Sequence, residues 1–398
     1  MESSRLFRPI RVGNMTLAHR IGMSPLTRLR ASTDHVPLDM AAEYYSQRAS
    51  VPGTLLISEG TLISKADGGV PNVPGIYNEQ QIKAWKQVTD AVHRKGSYIY
   101  CQLWAIGRAA LGPVAEMEGI SIYSSSATPL SGQAPPLELT VEGVQEKIDN
   151  YVRAAKNAMA AGFDGVEIHG ANGYLVDQFT QDCCNKREDD YGGSIANRSR
   201  FAVECVTAVS KAIGAQRVGI RLSPWSTYNG MRMADPTAQF SNLISKLSNL
   251  DMAYLHLIQT GIAGDGDDNE KAKHLAATTE TLAFAYDLWE GPLLVGGGFT
   301  PESAQQLLDV ERSDRDVLVT FGRRFISNPD LPFRIRENIP LANYDRDSFY
   351  IPGEATGYID YPYCDEFVQR QQRQQRGQEQ EPNMIDKLIG WLAKCIGR

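Results

Sequence analysis

Several features that would assign this chain to other protein classes are missing from its 398 residues. No run of about 18 or more apolar residues occurs, so no segment is predicted to span a membrane. The opening segment MESSRLFRPI lacks the apolar core of a secretory signal. The six cysteines form no CxxC pair and no zinc or iron–sulfur spacing. We therefore predict no metal site, free thiols and a cytoplasmic location.

Excess positive charge is missing too. The net charge is −7 and the pI is near 5.5, which argues against a nucleic-acid partner. No GxGxxG turn follows the first apolar run, which argues against a doubly wound dinucleotide-binding sheet. A composition of 42% hydrophobic and 22% charged residues is typical of a globular protein with a large core.

Short apolar runs that end in Gly, Pro or a polar residue recur along the chain, and helical patterns lie between most of them. Runs of this kind are typical of parallel strands covered by helices on both faces. Eight strand–helix repeats predict an α/β fold, a (β/α)8 TIM barrel, over residues 1–368. The runs are 21–25, 54–60, 98–104, 164–170, 218–224, 253–260, 292–298 and 316–322.

Both ends of the predicted barrel carry additions. The segment FRPIRVGNMTLAHR predicts an N-terminal β-hairpin that turns at Gly13-Asn14 and covers the N-terminal end of the barrel. The Gln/Arg-rich stretch 369–383 predicts a disordered linker. Residues 384–398 predict an amphipathic helix that contacts a membrane surface, the barrel or a partner subunit.

In such a barrel the site lies at the C-terminal ends of the strands, so the residues that close each run are the candidates. A Gly triplet ends the seventh run, with Gly297 and Gly298, and Gly322-Arg323 ends the eighth. Loops at these two positions often bind phosphate through backbone N–H groups, and arginine binds phosphate bidentately. These residues predict a phosphate-bearing ligand.

The fourth run is followed by His169, Asn172 and Tyr174. His169 and Asn172 can donate hydrogen bonds to one carbonyl oxygen, and the Tyr174 phenol can deliver a proton to carbon. The fifth run contains Arg221, and a buried arginine needs an anion such as a reduced flavin. Gln102 and Thr27 could contact the edges of the same ring.

Seven segments together resemble the Old Yellow Enzyme family of FMN ene-reductases: SPLTR, SEGT, CQLWAIGR, DGVEIHGANGYLVDQF, GGSIANRSRF, GIRLSP and FGRRFISNPDLPFR. The resemblance runs from about residue 4 to 365. VPGTLLI, CQLWAIGRAA and YLHL are similar to the fungal branch with the chanoclavine-I aldehyde reductases. An ene-reductase in fungal secondary-metabolite and alkaloid biosynthesis is the function that the resemblance implies.

The resemblance also implies a role for each candidate residue. His169 and Asn172 would hold the substrate carbonyl, and Tyr174 would protonate the α-carbon after hydride reaches the β-carbon from flavin N5. Arg324 stands where many family members have an aromatic residue. Pocket-lining roles would fall to Trp104, Tyr228 and Tyr350. Tightly bound FMN would be contacted by Pro25, Leu26, Thr27, Gly60, Gln102, Arg221, Gly297, Gly298, Gly322 and Arg323.

The implied partners are NADPH and an enal or enone, and the chain is expected to be a monomer or homodimer. One alternative is a redox-neutral flavin-dependent double-bond isomerase, against which Tyr174 counts. A flavin-free aldolase would need a lysine or carboxylate base that closes a strand, and no run ends in lysine. A catalytically retired, membrane-tethered scaffold is the remaining alternative.

Overall fold

The computed structural model describes residues 4–259 and 280–380. The chain divides into two compact units, Met1–Tyr361 and Pro362–Arg398. The first unit contains a closed ring of eight parallel strands, in which each strand pairs with its neighbours and the first of the ring pairs with the last. The (β/α)8 barrel predicted from the apolar runs is confirmed, and each run supplies one of the eight strands.

The strands of the first unit are numbered in chain order. A hairpin of β1 (Ile10–Val12) and β2 (Met15–Leu17) precedes the barrel, and three short strands lie between barrel strands: β5 (Thr61–Leu62), β7 (Tyr123–Ser124) and β8 (Leu137–Glu138). The barrel strands are β3 (Ile21–Met23), β4 (Leu55–Ile57), β6 (Tyr98–Trp104), β9 (Gly165–Gly170), β10 (Val218–Leu222), β11 (Tyr254–Ile258), β12 (Leu293–Gly296) and β13 (Val317–Phe321).

Helices cover the outside of the ring, as the spacing of apolar residues predicts. Asn78 caps α2 with a capping box, and Thr300 caps α10, in which proline takes the first helical position. A π-helical turn, Leu307–Glu311, extends α10. The helices of this unit are α1 (Met40–Arg48), α2 (Glu79–His93), α3 (Gly112–Glu118), α4 (Val141–Ala160), α5 (Leu175–Thr180), α6 (Ile195–Arg198), α7 (Arg200–Ile213), α8 (Pro236–Leu247), α9 (Ala283–Leu288), α10 (Pro301–Gln306), α11 (Arg323–Ser327) and α12 (Leu331–Glu337).

The predicted N-terminal hairpin is confirmed. Its strands pair antiparallel around Gly13, whose φ of 54° allows the tight turn. A Cβ at Gly13 would lie 2.2 Å from the Gln216 carbonyl oxygen and 2.9 Å from the Ala253 Cβ, both at the N-terminal ends of barrel strands. The apolar side chains of the hairpin join one buried cluster with residues inside the barrel. The hairpin thus closes the end opposite the strand C-termini.

The second unit contains one described helix. A helix, α13 (Asp365–Gln380), covers most of the stretch for which the composition predicts disorder. Gln, Arg and Glu lower hydrophobicity, but they are also good helix formers, and Gly377 alone interrupts them. The linker assigned to 369–383 stays a prediction. The predicted amphipathic helix at 384–398 lies outside the described residues.

Among residues 4–259 and 280–380, no helix is both long enough and apolar enough to cross a membrane. The five cysteines in this part of the chain are free thiols. The cytoplasmic location stays a prediction.

Candidate active site

An open pocket lies at the C-terminal ends of the barrel strands, with an empty volume of about 1330 Å³. Every residue that the sequence singled out as a site candidate lines it, although the roles given to them stay predictions. The strands bring together Pro25, Leu26, Thr27, Gly60, Gln102, Trp104, His169, Asn172, Tyr174, Arg221, Tyr228, Gly297, Gly298, Gly322, Arg323 and Tyr350.

His169 lies in β9, and only 5% of its surface is exposed. Its Nδ1 accepts the backbone N–H of Ala171 at 3.4 Å, which leaves the ring proton on Nε2. Burial, followed by the charge of Arg221, holds the pKa of His169 well below its ordinary 6.5. The imidazole is therefore neutral at physiological pH and offers one N–H donor.

Asn172 follows β9 with a left-handed backbone, at a φ of 59°. Two hydrogen bonds hold this conformation: the Asn172 N–H donates to Ser223 Oγ at 2.8 Å, and the Asn172 carbonyl accepts from Asn229 Nδ2 at 3.0 Å. Conformations of this kind persist only where surrounding contacts impose them, and they occur most often at functional sites. The backbone of Asn172 is thereby held in place, and Asn172 and His169 line the same pocket.

Tyr174 stands immediately before α5, among other aromatic rings. Its ring lies edge-on to His169 and to Trp104, with centroids 4.9 Å apart in each case. Burial raises the pKa of Tyr174, as do the neighbouring Tyr228 and Tyr350, against a hydrogen bond with the Asn229 side chain. The phenol keeps its proton throughout the physiological range, as a proton donor must.

A donor without a partner lies in the floor of the pocket. Arg221 projects from β10, and its Nε has no hydrogen-bond partner among the described residues although the atom is buried. A buried N–H group left without an acceptor is costly, so the site fits a ligand with an acceptor or an anionic edge at this point. Reduced flavin has such an edge.

The opposite end of the pocket fits a phosphate. Gly297 and Gly298 have φ values of 128° and 71°, which few other residues adopt. Arg323 stacks over the Tyr344 ring, with its guanidinium carbon 5.4 Å from the centroid. On the flavin side, a Cβ on Gly60 would come within 2.7 Å of the Trp104 ring. The chain thus provides both a cradle for the phosphate and close backbone approach for a flat ring.

The sequence reading missed part of the lining. The aromatic-rich stretch that begins at residue 343 and contains the predicted Tyr350 is the feature of the sequence that points to some of these residues. Arg324, already noted as unusual, donates from Nε to the Phe299 carbonyl at 3.2 Å and so ties the two phosphate-side loops together. The additional lining residues are Ser24, Phe299, Thr320, Phe321, Arg324, Ile326, Tyr344, Arg346 and Phe349.

The chain is similar to known proteins over nearly its whole length. The NADH:flavin oxidoreductase / NADH oxidase family matches residues 5–342. Chanoclavine-I aldehyde reductase fgaOx3 of Penicillium roqueforti is 53% identical, and NADP-dependent oxidoreductase lnbE of Aspergillus flavus is 51% identical; each alignment covers 92% of this chain and 98% of the relative. A Claviceps fusiformis protein named "Probable inactive dehydrogenase easA" is 48% identical over 93% of this chain and 98% of its own length.

The structural comparison agrees with the sequence comparison. The crystal structure of Old Yellow Enzyme from Pichia sp. AKU4542 superposes with a TM-score of 0.83 and 36% identity, over 91% of this chain and 94% of that one. Its barrel fold and the family match confirm the resemblance seen in the sequence motifs. FMN is the cofactor that this family and the pocket imply. The chain belongs to the NADH:flavin oxidoreductase / NADH oxidase family and is an FMN oxidoreductase of the Old Yellow Enzyme type.

Proposed function

We propose that the protein is an NADPH-dependent ene-reductase that saturates the C=C bond of an α,β-unsaturated aldehyde or ketone. The observation that carries the proposal is the convergence of a neutral His169, the fixed Asn172 and the protonated Tyr174 above Arg221 in one pocket. When bound, FMN supplies the hydride chemistry, with NADPH as its source of reducing equivalents. The lnbE relative is named as an NADP-dependent oxidoreductase, which supports this choice of reductant.

His169 and Asn172 bind the carbonyl oxygen of the substrate. Two N–H donors polarise the carbonyl, which withdraws electron density from the β-carbon and stabilises the negative charge that develops on oxygen. A neutral imidazole serves better here than an imidazolium would, because the neutral ring can be buried beside Arg221 without charge repulsion. These contacts exist before chemistry begins and therefore also orient the substrate.

Tyr174 donates the proton that the α-carbon needs. Its raised pKa keeps the phenol protonated, and the edge-on contacts with His169 and Trp104 fix the ring next to the carbonyl-binding pair. Proton transfer leaves a phenolate, which the Asn229 side chain and Arg221 stabilise. A positioned acid favours net reduction over movement of a double bond.

The substrate class follows from the relatives. An aldehyde reductase that acts on chanoclavine-I aldehyde shares 53% identity with this chain, which supports an unsaturated aldehyde from fungal secondary metabolism as the natural substrate. The open pocket, with Tyr228 and Tyr350 in its wall, has room for such a molecule. The monomer or homodimer expected from the sequence is part of this proposal.

Anaerobic product analysis tests the proposal. The FMN-loaded protein is given trans-2-hexenal, an enal with hydrogen atoms on its γ-carbon, and NADPH deuterated at the transferred position of C4. We expect the saturated aldehyde with one deuterium on the β-carbon. An unsaturated alcohol, or no product, would overturn the proposal. A rearranged double bond formed without NADPH would instead identify a redox-neutral isomerase.

A further inference from the structure

Below the pocket lies a buried carboxylate that the reaction does not use. Glu167 is two residues before His169 in β9 and is fully buried inside the barrel. An ionised carboxylate in a protein interior is costly unless hydrogen bonds and an opposite charge compensate for it. Glu167 has both, and the compensating groups come from three other strands, β6, β10 and β11.

One carboxylate oxygen fixes the orientation of Gln102. Glu167 Oε1 accepts from Gln102 Nε2 at 2.8 Å, between β9 and β6. The reverse amide orientation would place two oxygen atoms against each other, so the contact assigns the amide nitrogen to Glu167. The oxygen of Gln102 is thus the atom left for the pocket, as an acceptor for a ligand N–H group.

The second carboxylate oxygen is held by β11. His256 Nδ1 donates to Glu167 Oε2 at 2.7 Å, and the Tyr254 hydroxyl donates to the same atom at 3.1 Å. His256 Nε2 lies 3.2 Å from Thr320 Oγ1, which can donate to it. Burial would raise the pKa of Glu167, but His256, Arg221 and the Gln102 contact together hold it below its ordinary value. Glu167 is therefore anionic, and its hydrogen-bond acceptors are occupied.

The charge of Glu167 acts on Arg221. Arg221 lies on β10, beside β9, and the two residues each stabilise the charged form of the other. His169 and His256 are neutral because burial lowers the pKa of each. Within this cluster the charges are one positive and one negative, so the floor of the pocket is close to neutral although an arginine faces it.

We propose that Glu167 is a positioning residue for the cofactor, with two separable effects. Through Gln102 it presents an oxygen to the N3–H group of the FMN ring. Through its charge it offsets Arg221, so that the anionic reduced ring is bound less tightly than an uncompensated arginine would bind it. The inference rests on the proposed function only in that FMN occupies this pocket.

Glu167→Gln tests both effects in the FMN-loaded protein. The oxygen of the new amide is needed by the two donors from β11, so its nitrogen faces Gln102 and turns the Gln102 nitrogen toward the pocket. A donor then faces the N3–H donor, and oxidised FMN should bind roughly 5- to 100-fold more weakly, as expected for an unsatisfied buried polar contact. Loss of the negative charge should favour reduced over oxidised FMN by at least tenfold. A redox titration would record this as a rise of about 30 mV in the two-electron midpoint potential.

Two further variants separate the effects. Glu167→Asp keeps the charge but withdraws the carboxylate from Gln102, so FMN affinity should fall while the midpoint potential stays near that of the parent. Tyr254→Phe removes one donor from the same carboxylate and keeps both its charge and its contact with Gln102. It should change FMN affinity by less than about threefold and the midpoint potential by less than the corresponding roughly 14 mV, and it serves as the matched control.

Unchanged FMN affinity together with an unchanged midpoint potential in Glu167→Gln would overturn the proposal. If Glu167→Gln does not fold, Glu167→Asp decides, because an affinity equal to that of the parent would contradict the role assigned to Gln102. Neither measurement uses an enal or NADPH. A protein inactive toward carbonyl compounds would therefore count against the proposed function and leave this inference standing.

Discussion

Replacing Tyr174 with phenylalanine separates the two halves of the catalytic cycle, reduction of the flavin and its reoxidation. In the proposed mechanism the phenol serves only to protonate the α-carbon, so reduction of the flavin by NADPH should stay within about twofold of the parent rate. Reoxidation by an enone should slow by roughly 10²- to 10⁴-fold, the usual contribution of a positioned general acid. Phenylalanine keeps the ring and its edge-on packing at 4.9 Å against His169 and Trp104, so the loss is assigned to the hydroxyl.

Anaerobic stopped-flow absorbance at the flavin band measures each half-reaction in isolation. Because the pKa of Tyr174 is raised, reoxidation of the parent should not vary with pH between about 6 and 9 through this group. Tyr151→Phe is the matched control, because Tyr151 is fully buried in α4 and is not among the residues that line the pocket. It should alter neither step. If Tyr174→Phe reoxidises with an enone as fast as the parent, Tyr174 is not the acid.

Three other changes give distinct results. His169→Ala should weaken the binding of carbonyl ligands as well as slow reoxidation, since the contact precedes the chemistry. In the parent, the affinity for a carbonyl ligand, measured by difference absorbance, should not change between about pH 5.5 and 8. A change in affinity near pH 6.5 would show that the pKa of His169 is not lowered. Arg323→Ala should weaken FMN binding by about 1.5–3 kcal/mol, because it removes a charge-assisted contact with the phosphate. Arg312 stacks on Tyr286 outside the pocket, so Arg312→Ala should leave FMN affinity unchanged. Equal FMN affinities of the two variants in a fluorescence titration would contradict the role of Arg323. Burial raises the pKa of Glu59 to about 7, so the folded state keeps a proton that the unfolded state loses near pH 4.5. The free energy of unfolding should therefore fall as pH rises from about 4.5 to 7. Glu59→Gln should flatten this dependence in urea titrations, and an unchanged slope would refute the raised pKa of Glu59.

The order and number of the barrel strands could be predicted from the sequence because parallel strands are buried on both faces and appear as short apolar runs. The candidate site could be predicted with them, since a closed parallel barrel places the ends of all strands around one opening. Gly297 and Arg323 are far from His169 in the chain, yet the strand that precedes each one fixes its position. The hairpin was predictable for a local reason, the turn at Gly13.

At 369–380 low hydrophobicity predicts disorder, whereas Gln, Arg and Glu are good helix formers and the structure describes α13 there; composition alone does not choose between the two. Within the stretch after residue 343, no pattern singled out Tyr344 and Arg346 as residues that reach the pocket. That depends on how a long connection crosses the barrel mouth, which no periodicity encodes.

Glu167 shows what only the tertiary structure decided. In the sequence it is one acidic residue within an apolar strand, and nothing nearby explains it. Its partners Gln102, Tyr254 and His256 come from two other strands, 65 to 89 residues away. The sequence by itself determined which residues end the strands and so which ones face the pocket. The charge state and orientation of those residues depend on distant side chains that meet only when the barrel closes, because hydrogen bonds and electrostatic interactions act through space and not along the chain.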